Sequence, residues 1–114
     1  MKIKVKCTRP KYARGEYEFD RLEDVGHWLC RIKGLAEGAV GRWLYGLAKT
    51  GFIRVYSARW SIEIDSTFHD YFLAREVAFK VRLLKGGLGG DRYSKDRAIA
   101  LEFAKEVDKL TLGK

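Results

Sequence analysis

The stretch "GAVGRWLYGLAKTGFIRV", Gly38 to Val55, decides the fold because two periodicities meet inside it. From Val40 the apolar residues Val40, Trp43, Leu44 and Leu47 recur at helical spacing. Arg42, Tyr45 and Lys49 fall on the opposite face, which predicts that they point outward together. The spacing predicts a helix over Gly38 to Thr50, stopped by Gly51 in the usual C-terminal way. Beyond it "FIRVYSARWSIEI" changes to a period of two, predicting a strand, a tight connection and a second strand. The stretch also holds Gly38, Gly41, Gly46 and Gly51, and an interior helical glycine costs about 1 kcal/mol relative to alanine. None lies on the apolar face, so they are expected to mark close approach of something other than the core.

Working outward, "DRLEDVGHWLCRIKG" reads as another helix. Asp20 is placed to cap it with Glu23 as the capping-box partner, and Gly34 is placed to end it. Leu22, Val25, Trp28, Leu29 and Ile32 form its apolar face, with His27 and Cys30 off that face. At the start of the chain "KIKVKC" alternates: Ile3, Val5 and Cys7 on one side, Lys2, Lys4 and Lys6 on the other. "RPKYARG" reads as a loop leading to a short strand, "EYEF". "STFHDYFLAREVAFKVRLLKG" is read as a helix capped by Ser66 or Thr67 and running to Leu84, although "VAFKVRLL" also alternates like a strand. Phe68, Phe72, Phe79 and Leu83 would line one side of it, and Leu73, Val77, Val81 and Leu84 another. "GGLGG" is a hinge rather than a phosphate-binding fingerprint, since no G-x-G-x-x-G is present. "YSKDRAIALEFAKEVDKL" is the last helix, capped by Ser94, with Ile99, Phe103, Val107 and Leu110 inward. The expectation is an α+β fold, about four helices with a small antiparallel sheet, in one domain spanning residues 1–114.

Composition narrows the partners. Among 114 residues, 23 Lys and Arg stand against 15 Asp and Glu, a formal +8 with a pI near 9.6. Such an imbalance suits a polyanion, and nucleic acid is the commonest; the plainer alternative is charge that keeps the protein dispersed. The start of the chain has no uninterrupted apolar core of a signal peptide, and no run approaches a membrane span. Cys7 and Cys30 are too few for a disulfide framework and fit a reducing cytoplasm.

The order helix, glycine turn, helix, two-strand ribbon over Leu22 to Ile64 resembles a winged helix-turn-helix domain. Cys30, Gly34, Val40 and Trp43 stand at that family's offsets, and "LAKTGFIRV" is similar to its exit from recognition helix to wing. Lys33 departs from the pattern, and strands replace the helix that usually precedes the pair. The resemblance implies that Arg42, Tyr45 and Lys49 face a DNA groove, with Arg54 and Arg59 on the wing. "WLYGLAKTGFIRVYSARWSIEIDST" also resembles a degenerate LAGLIDADG homing-endonuclease core. There Gly41 and Gly46 would let a helix approach its twin, and Arg54, Arg59 and Lys80 would face DNA. Lys49 and Thr50 stand where that family's acidic end belongs, so metal-dependent cleavage would be lost.

Other motifs yield less. His27 and Cys30, with Cys7 and His69, could make a Cys2His2 set, but only one close pair exists, so buried thiols and ordinary histidines are expected. Glu63 and Asp65, with Glu16, Glu18 and Asp20, are read as an exposed strand face rather than a magnesium site. "DSTFHDYF" resembles a sliding-clamp-binding box through Phe68, Tyr71 and Phe72, with Asp65 in place of its glutamine; aromatics at this spacing more often bury a helix face.

The resulting expectation is a non-enzymatic, cofactor-free protein binding double-stranded DNA, as a transcriptional regulator or chromatin-associated factor. Lys2, Lys4, Lys6 and the arginines would capture the backbone and Arg42, Tyr45 and Lys49 would dock. A two-sided helix from Thr67 would make it a homodimer. The rivals are a protein-interaction module using the aromatic helix, and RNA binding in which Tyr12, Tyr17, Tyr56 and Trp60 stack on unpaired bases.

Overall fold

The computed structural model describes residues 1–35, 39–85 and 92–112. Gly38 and the "GGLGG" hinge lie outside the described residues. The chain runs β1 (Ile3–Arg9), a 3-10 turn (Lys11–Ala13), β2 (Gly15–Phe19), α1 (Leu22–Cys30), α2 (Val40–Thr50), β3 (Phe52–Tyr56) and β4 (Ser61–Ser66). It continues through α3 (Tyr71–Lys80), β5 (Leu84–Lys85), β6 (Arg92–Tyr93) and α4 (Arg97–Leu112). This is an α+β fold of four helices and an antiparallel sheet, as the periodicities predict.

The main sheet has the order β2-β1-β4-β3, every neighbour antiparallel. Strand alternation divides it into two faces. Ile3, Val5, Cys7, Val55, Ile62 and Ile64 are buried and join the side chains of the helices in one core. Lys4, Lys6, Glu16, Glu18, Arg54 and Asp65 project from the other face into solvent.

The helical layer is built around α2. Gly41 is buried where α2 meets α4 and the segment after α3: a Cβ there would lie 2.7 Å from Leu83 Cδ1 and 3.5 Å from the Ala100 Cβ. Contrary to expectation, this glycine therefore serves the chain's own core, allowing helices to approach more closely than any side chain permits. Gly26 does the same in α1, its missing Cβ facing Leu101 of α4 and Leu44 of α2. Gly51 has φ +82° and closes α2 by donating its N–H to the Leu47 carbonyl, as the sequence predicts.

The helix starts differ from the expected ones. Asp20 does not cap α1. The carboxylate of Asp108, far along the chain on α4, accepts the Leu22 N–H at 2.8 Å and the Glu23 N–H at 2.9 Å. These donors have no partner within the helix, and a carboxylate also suits the positive end of its dipole. Asp70 caps α3 by accepting from Leu73 N–H. Ser66 and Thr67 instead accept from the Phe68 and Lys2 N–H groups. At α4, Asp96 accepts from Ala98 N–H, and the buried Ser94 accepts from Asp96 N–H.

α3 is shorter than its pattern suggested. It ends at Lys80, Arg82 takes a left-handed φ of 63°, and Leu84–Lys85 pairs with Arg92–Tyr93. Ala74, Val77 and Ala78 are its buried residues, while Phe72 and Phe79, expected to share one apolar side of the helix, are exposed. Small residues on the inner side bring α3 close to α2 and leave the large rings on the outside. Leu110 of α4 is likewise exposed rather than inward.

Candidate nucleic-acid interface

Three segments distant in sequence converge at one end of the main sheet. The β3–β4 turn is closed by Ser57: its N–H donates to the Trp60 carbonyl, and its Oγ accepts from Arg59 and Trp60 N–H groups. That turn lies against the segment that follows α1, since a Cβ on Gly34 would sit 3.4 Å from Trp60 and 3.9 Å from the Arg59 guanidinium. Gly34 has φ +77°, a conformation that favours glycine and sharply redirects the chain. The β1–β2 connection joins the same place through Tyr12, whose hydroxyl accepts the Lys33 N–H at 2.8 Å.

The convergence gathers Arg9, Lys11, Arg14, Lys33 and Arg59 from residues 9–14, 31–35 and 57–60, which hold no acidic residue, and Arg54 adjoins them on β3. Among the described residues only Arg54 of these six forms an ion pair, its Nε lying 3.5 Å from Glu63. Two aromatic rings stand open beside the charges: Tyr12 is 63% and Tyr56 is 67% exposed. The guanidinium carbons of Arg9 and Arg54 lie 5.2 Å and 5.4 Å from the Tyr56 ring centre. Trp60 is half-buried beside them. Tyr17, a stacking ring in the RNA-binding alternative, is turned inward: its hydroxyl donates to the Ala13 carbonyl and its ring packs on Trp28 at 5.2 Å.

The sheet's outer face is less basic than its lysines suggest. Cross-strand register puts Lys4 between Glu18 and Asp65, and Lys6 between Glu16 and Glu63. Lys2 lies 3.4 Å from Glu18. A phosphate approaching Lys2, Lys4 or Lys6 would therefore meet carboxylates on adjoining strands, and the four cations with Arg54 included are balanced by four acids. The same pairing gives Glu63 and Asp65 a structural partner each. Alternation along one strand cannot show this, because it depends on which strands become neighbours.

The expected recognition face of α2 is only partly present. Arg42 is exposed and Lys49 half-buried, its ammonium 5.6 Å and 5.3 Å from the rings of Tyr45 and Tyr71. Tyr45 does not face outward. It is 2% exposed, its ring packed 5.8 Å from Tyr93 and 6.1 Å from Phe103. The sequence showed one apolar face of α2, but α1, α3 and α4 all pack against this helix, so its second face is buried too. Arg54 projects from the outer sheet face, Arg59 from the turn, and Lys80 is 3.5 Å from Glu106.

Elsewhere, Tyr71, Phe72 and Phe79 expose rings along α3, with Arg75 over Phe79 at 5.1 Å. Phe68, the first position of the clamp-like box, is half-buried against the core. Cys7 and Cys30 are free, and burial pushes both thiols upward, the reverse of what activates a nucleophile. Among the described residues no group of three or more His, Cys, Asp and Glu side chains is placed to hold a metal ion. His27 lies 3.7 Å from Glu23 one helical turn away. Among the described residues no helix is long and apolar enough to cross a membrane.

No family model, curated protein or solved structure matches this chain.

Proposed function

We propose that this protein binds nucleic acid without acting on it chemically, and that the contact surface is the basic, aromatic end of the main sheet. The observation that carries the reading is the gathering of Arg9, Lys11, Arg14, Lys33 and Arg59, unpaired among the described residues, from three separate segments. Unpaired like charges repel, and a fold that brings them together gains from an anion that neutralises them. Duplex DNA and RNA both present such a backbone. Arg42 and Lys49 lie on α2 and would make secondary contacts at most. Two free thiols suit a reducing compartment such as the cytoplasm.

Titration of labelled duplex DNA, single-stranded DNA and RNA across a salt series tests this. Log affinity should fall linearly with log salt, by about 0.9 per duplex phosphate or about 0.7 per single-strand phosphate contacted. Lys11→Ala, Lys33→Ala and Arg59→Ala combined should weaken binding at least about tenfold and reduce the slope by about two to three. Absence of binding to all three at low salt refutes the reading.

The aromatic ridge of α3 favours a second reading, a protein-interaction module or homodimer using Tyr71, Phe72 and Phe79. Light scattering of the parent and of Phe72→Ser with Phe79→Ser distinguishes it: a dimer lost in the variant supports this surface.

A further inference from the structure

Resting on the nucleic-acid reading, we infer that the sheet end takes a single strand with unpaired bases, and that Tyr12 and Tyr56 are the stacking platforms. In a duplex each base face is covered by its neighbours, so an exposed tyrosine ring meets only sugar, phosphate and groove edges. In a single strand the base faces are free to stack on aromatic rings, a contact available to every base. Here Tyr12 and Tyr56 are the two most exposed rings at the basic end, and each is tied to its charged surroundings. The Tyr12 hydroxyl is held by the Lys33 N–H, so its ring is positioned before any ligand arrives. Tyr56 projects from the edge strand β3, with the Arg9 and Arg54 guanidiniums beside its ring. The Arg9 guanidinium, which forms no ion pair among the described residues, is placed to hold a phosphate flanking a base stacked on Tyr56, whereas Arg54 is engaged with Glu63.

The surroundings oppose a broad duplex footprint. Next to the cluster the sheet face carries Glu16, Glu63, Glu18 and Asp65 in alternation with lysines. A duplex spreading from the sheet end across this face would bring its phosphates against those carboxylates. A narrow strand that follows Lys33, Arg59, Arg9 and Lys11 avoids them.

The test compares one oligonucleotide as an unpaired strand and as a duplex, in titrations of the full chain followed by fluorescence anisotropy. Oligo-dT and oligo-U separate DNA from RNA as the source of the strand. The single strand should bind at least about tenfold more tightly than the duplex at equal salt. Tyr12→Ala and Tyr56→Ala should each weaken single-strand binding by about tenfold, with duplex binding changed less than twofold. Tyr56→Phe should retain most of the affinity, since the ring supplies the stacking, whereas Tyr12→Phe, which loses the hydroxyl that accepts the Lys33 N–H, should fall between the parent and Tyr12→Ala. Tyrosine fluorescence quenching on titration of oligo-dT or oligo-U should be reduced in the alanine variants. Equal affinity for duplex and strand, or indifference to both alanine substitutions, overturns this inference while leaving the nucleic-acid reading standing. Loss of all binding with Lys11→Ala, Lys33→Ala and Arg59→Ala, combined with those outcomes, would still support the reading. Failure of the parent to bind any of the three polymers overturns both.

Discussion

Gly41 and Gly46 lie in the same helix, yet replacing each by alanine should change stability in opposite directions. Alanine removes the backbone penalty of a helical glycine and should gain about 1 kcal/mol at either position. At Gly41 the new methyl would stand 2.7 Å from Leu83 Cδ1, well inside van der Waals contact. Leu83 is fully buried, and its N–H and carbonyl are held by Ala78 and Ser94, so its side chain can yield only by displacing other core atoms. Overpacking of this kind costs about 1–3 kcal/mol, which outweighs the helical gain and leaves a net loss of about 1 kcal/mol. At Gly46 the nearest atom is Ile53 Cγ2 at 3.2 Å, on a half-buried side chain that can shift by a few tenths of an ångström. There the helical gain wins, and a net gain of about 0.5 kcal/mol is expected. For a domain of this size the two variants should differ in Tm by about 6 °C, with Gly46→Ala the higher. Circular-dichroism melts with urea unfolding as a check on two-state behaviour measure this directly. Equal stabilities, or Gly41→Ala above the parent, would refute the argument that Gly41 exists to admit Leu83 and Ala100.

The remaining expectations use the same assays. Asp108→Ala leaves the Leu22 and Glu23 N–H groups without their acceptor and should cost about 1–3 kcal/mol in urea unfolding. Burial raises the Asp108 carboxyl above the ordinary aspartate range even though the Glu23 and Leu22 N–H groups pull it down. The folded state therefore holds this proton more tightly, and its contribution is full below the unfolded pKa and lost as pH rises through the folded one. The stability deficit of Asp108→Asn should accordingly shrink as pH rises through that window; a growing deficit would contradict the assignment. Tyr45→Ala should cost about 3–5 kcal/mol because it empties the space against Phe103 and Tyr93, whereas Phe72→Ser, at a position 79% exposed, should stay within about 0.5 kcal/mol of the parent. Lys4→Gln with Lys6→Gln should alter nucleic-acid affinity less than twofold, because both lysines already stand between carboxylates. A tenfold loss would place the ligand on the sheet face.

Features recorded by short stretches of chain were legible before the structure. Helical spacing from Val40 and the glycine stop gave the body and the end of α2, whose first helical residue is Val40 with Ala39 before it, and the change of period at Phe52 gave β3 and β4. Alternation at Ile3, Val5 and Cys7 gave a half-buried strand. Of the two ribbon arginines, Arg59 lies in the turn at the basic end and Arg54 beside it on β3, paired with Glu63; Arg9, Lys11, Arg14 and Lys33 complete the candidate surface from segments outside the ribbon. Aromatics beside basic residues in a loop mark Arg9, Lys11 and Arg14, since "RPKYAR" combines the two, whereas Lys33 has no such signal and joins them only through its contact with Tyr12.

Most of the elements, the α+β class and the excess of positive charge are written in spacing or composition over at most a few turns, while the early end of α3 and the β5–β6 pair are not. Which charges are free and which helix faces are covered depends on how the elements pack together. Lys4 and Lys6 are neutralised by partners on β2 and β4 that follow from strand order. Tyr45 is buried because three helices surround α2, whereas a periodic pattern reports apolar residues and is silent on a tyrosine enclosed by neighbours. Asp108 caps a helix from the far end of the chain. In each case the deciding interaction is non-local, and its energy depends on a neighbour that no window of the sequence contains.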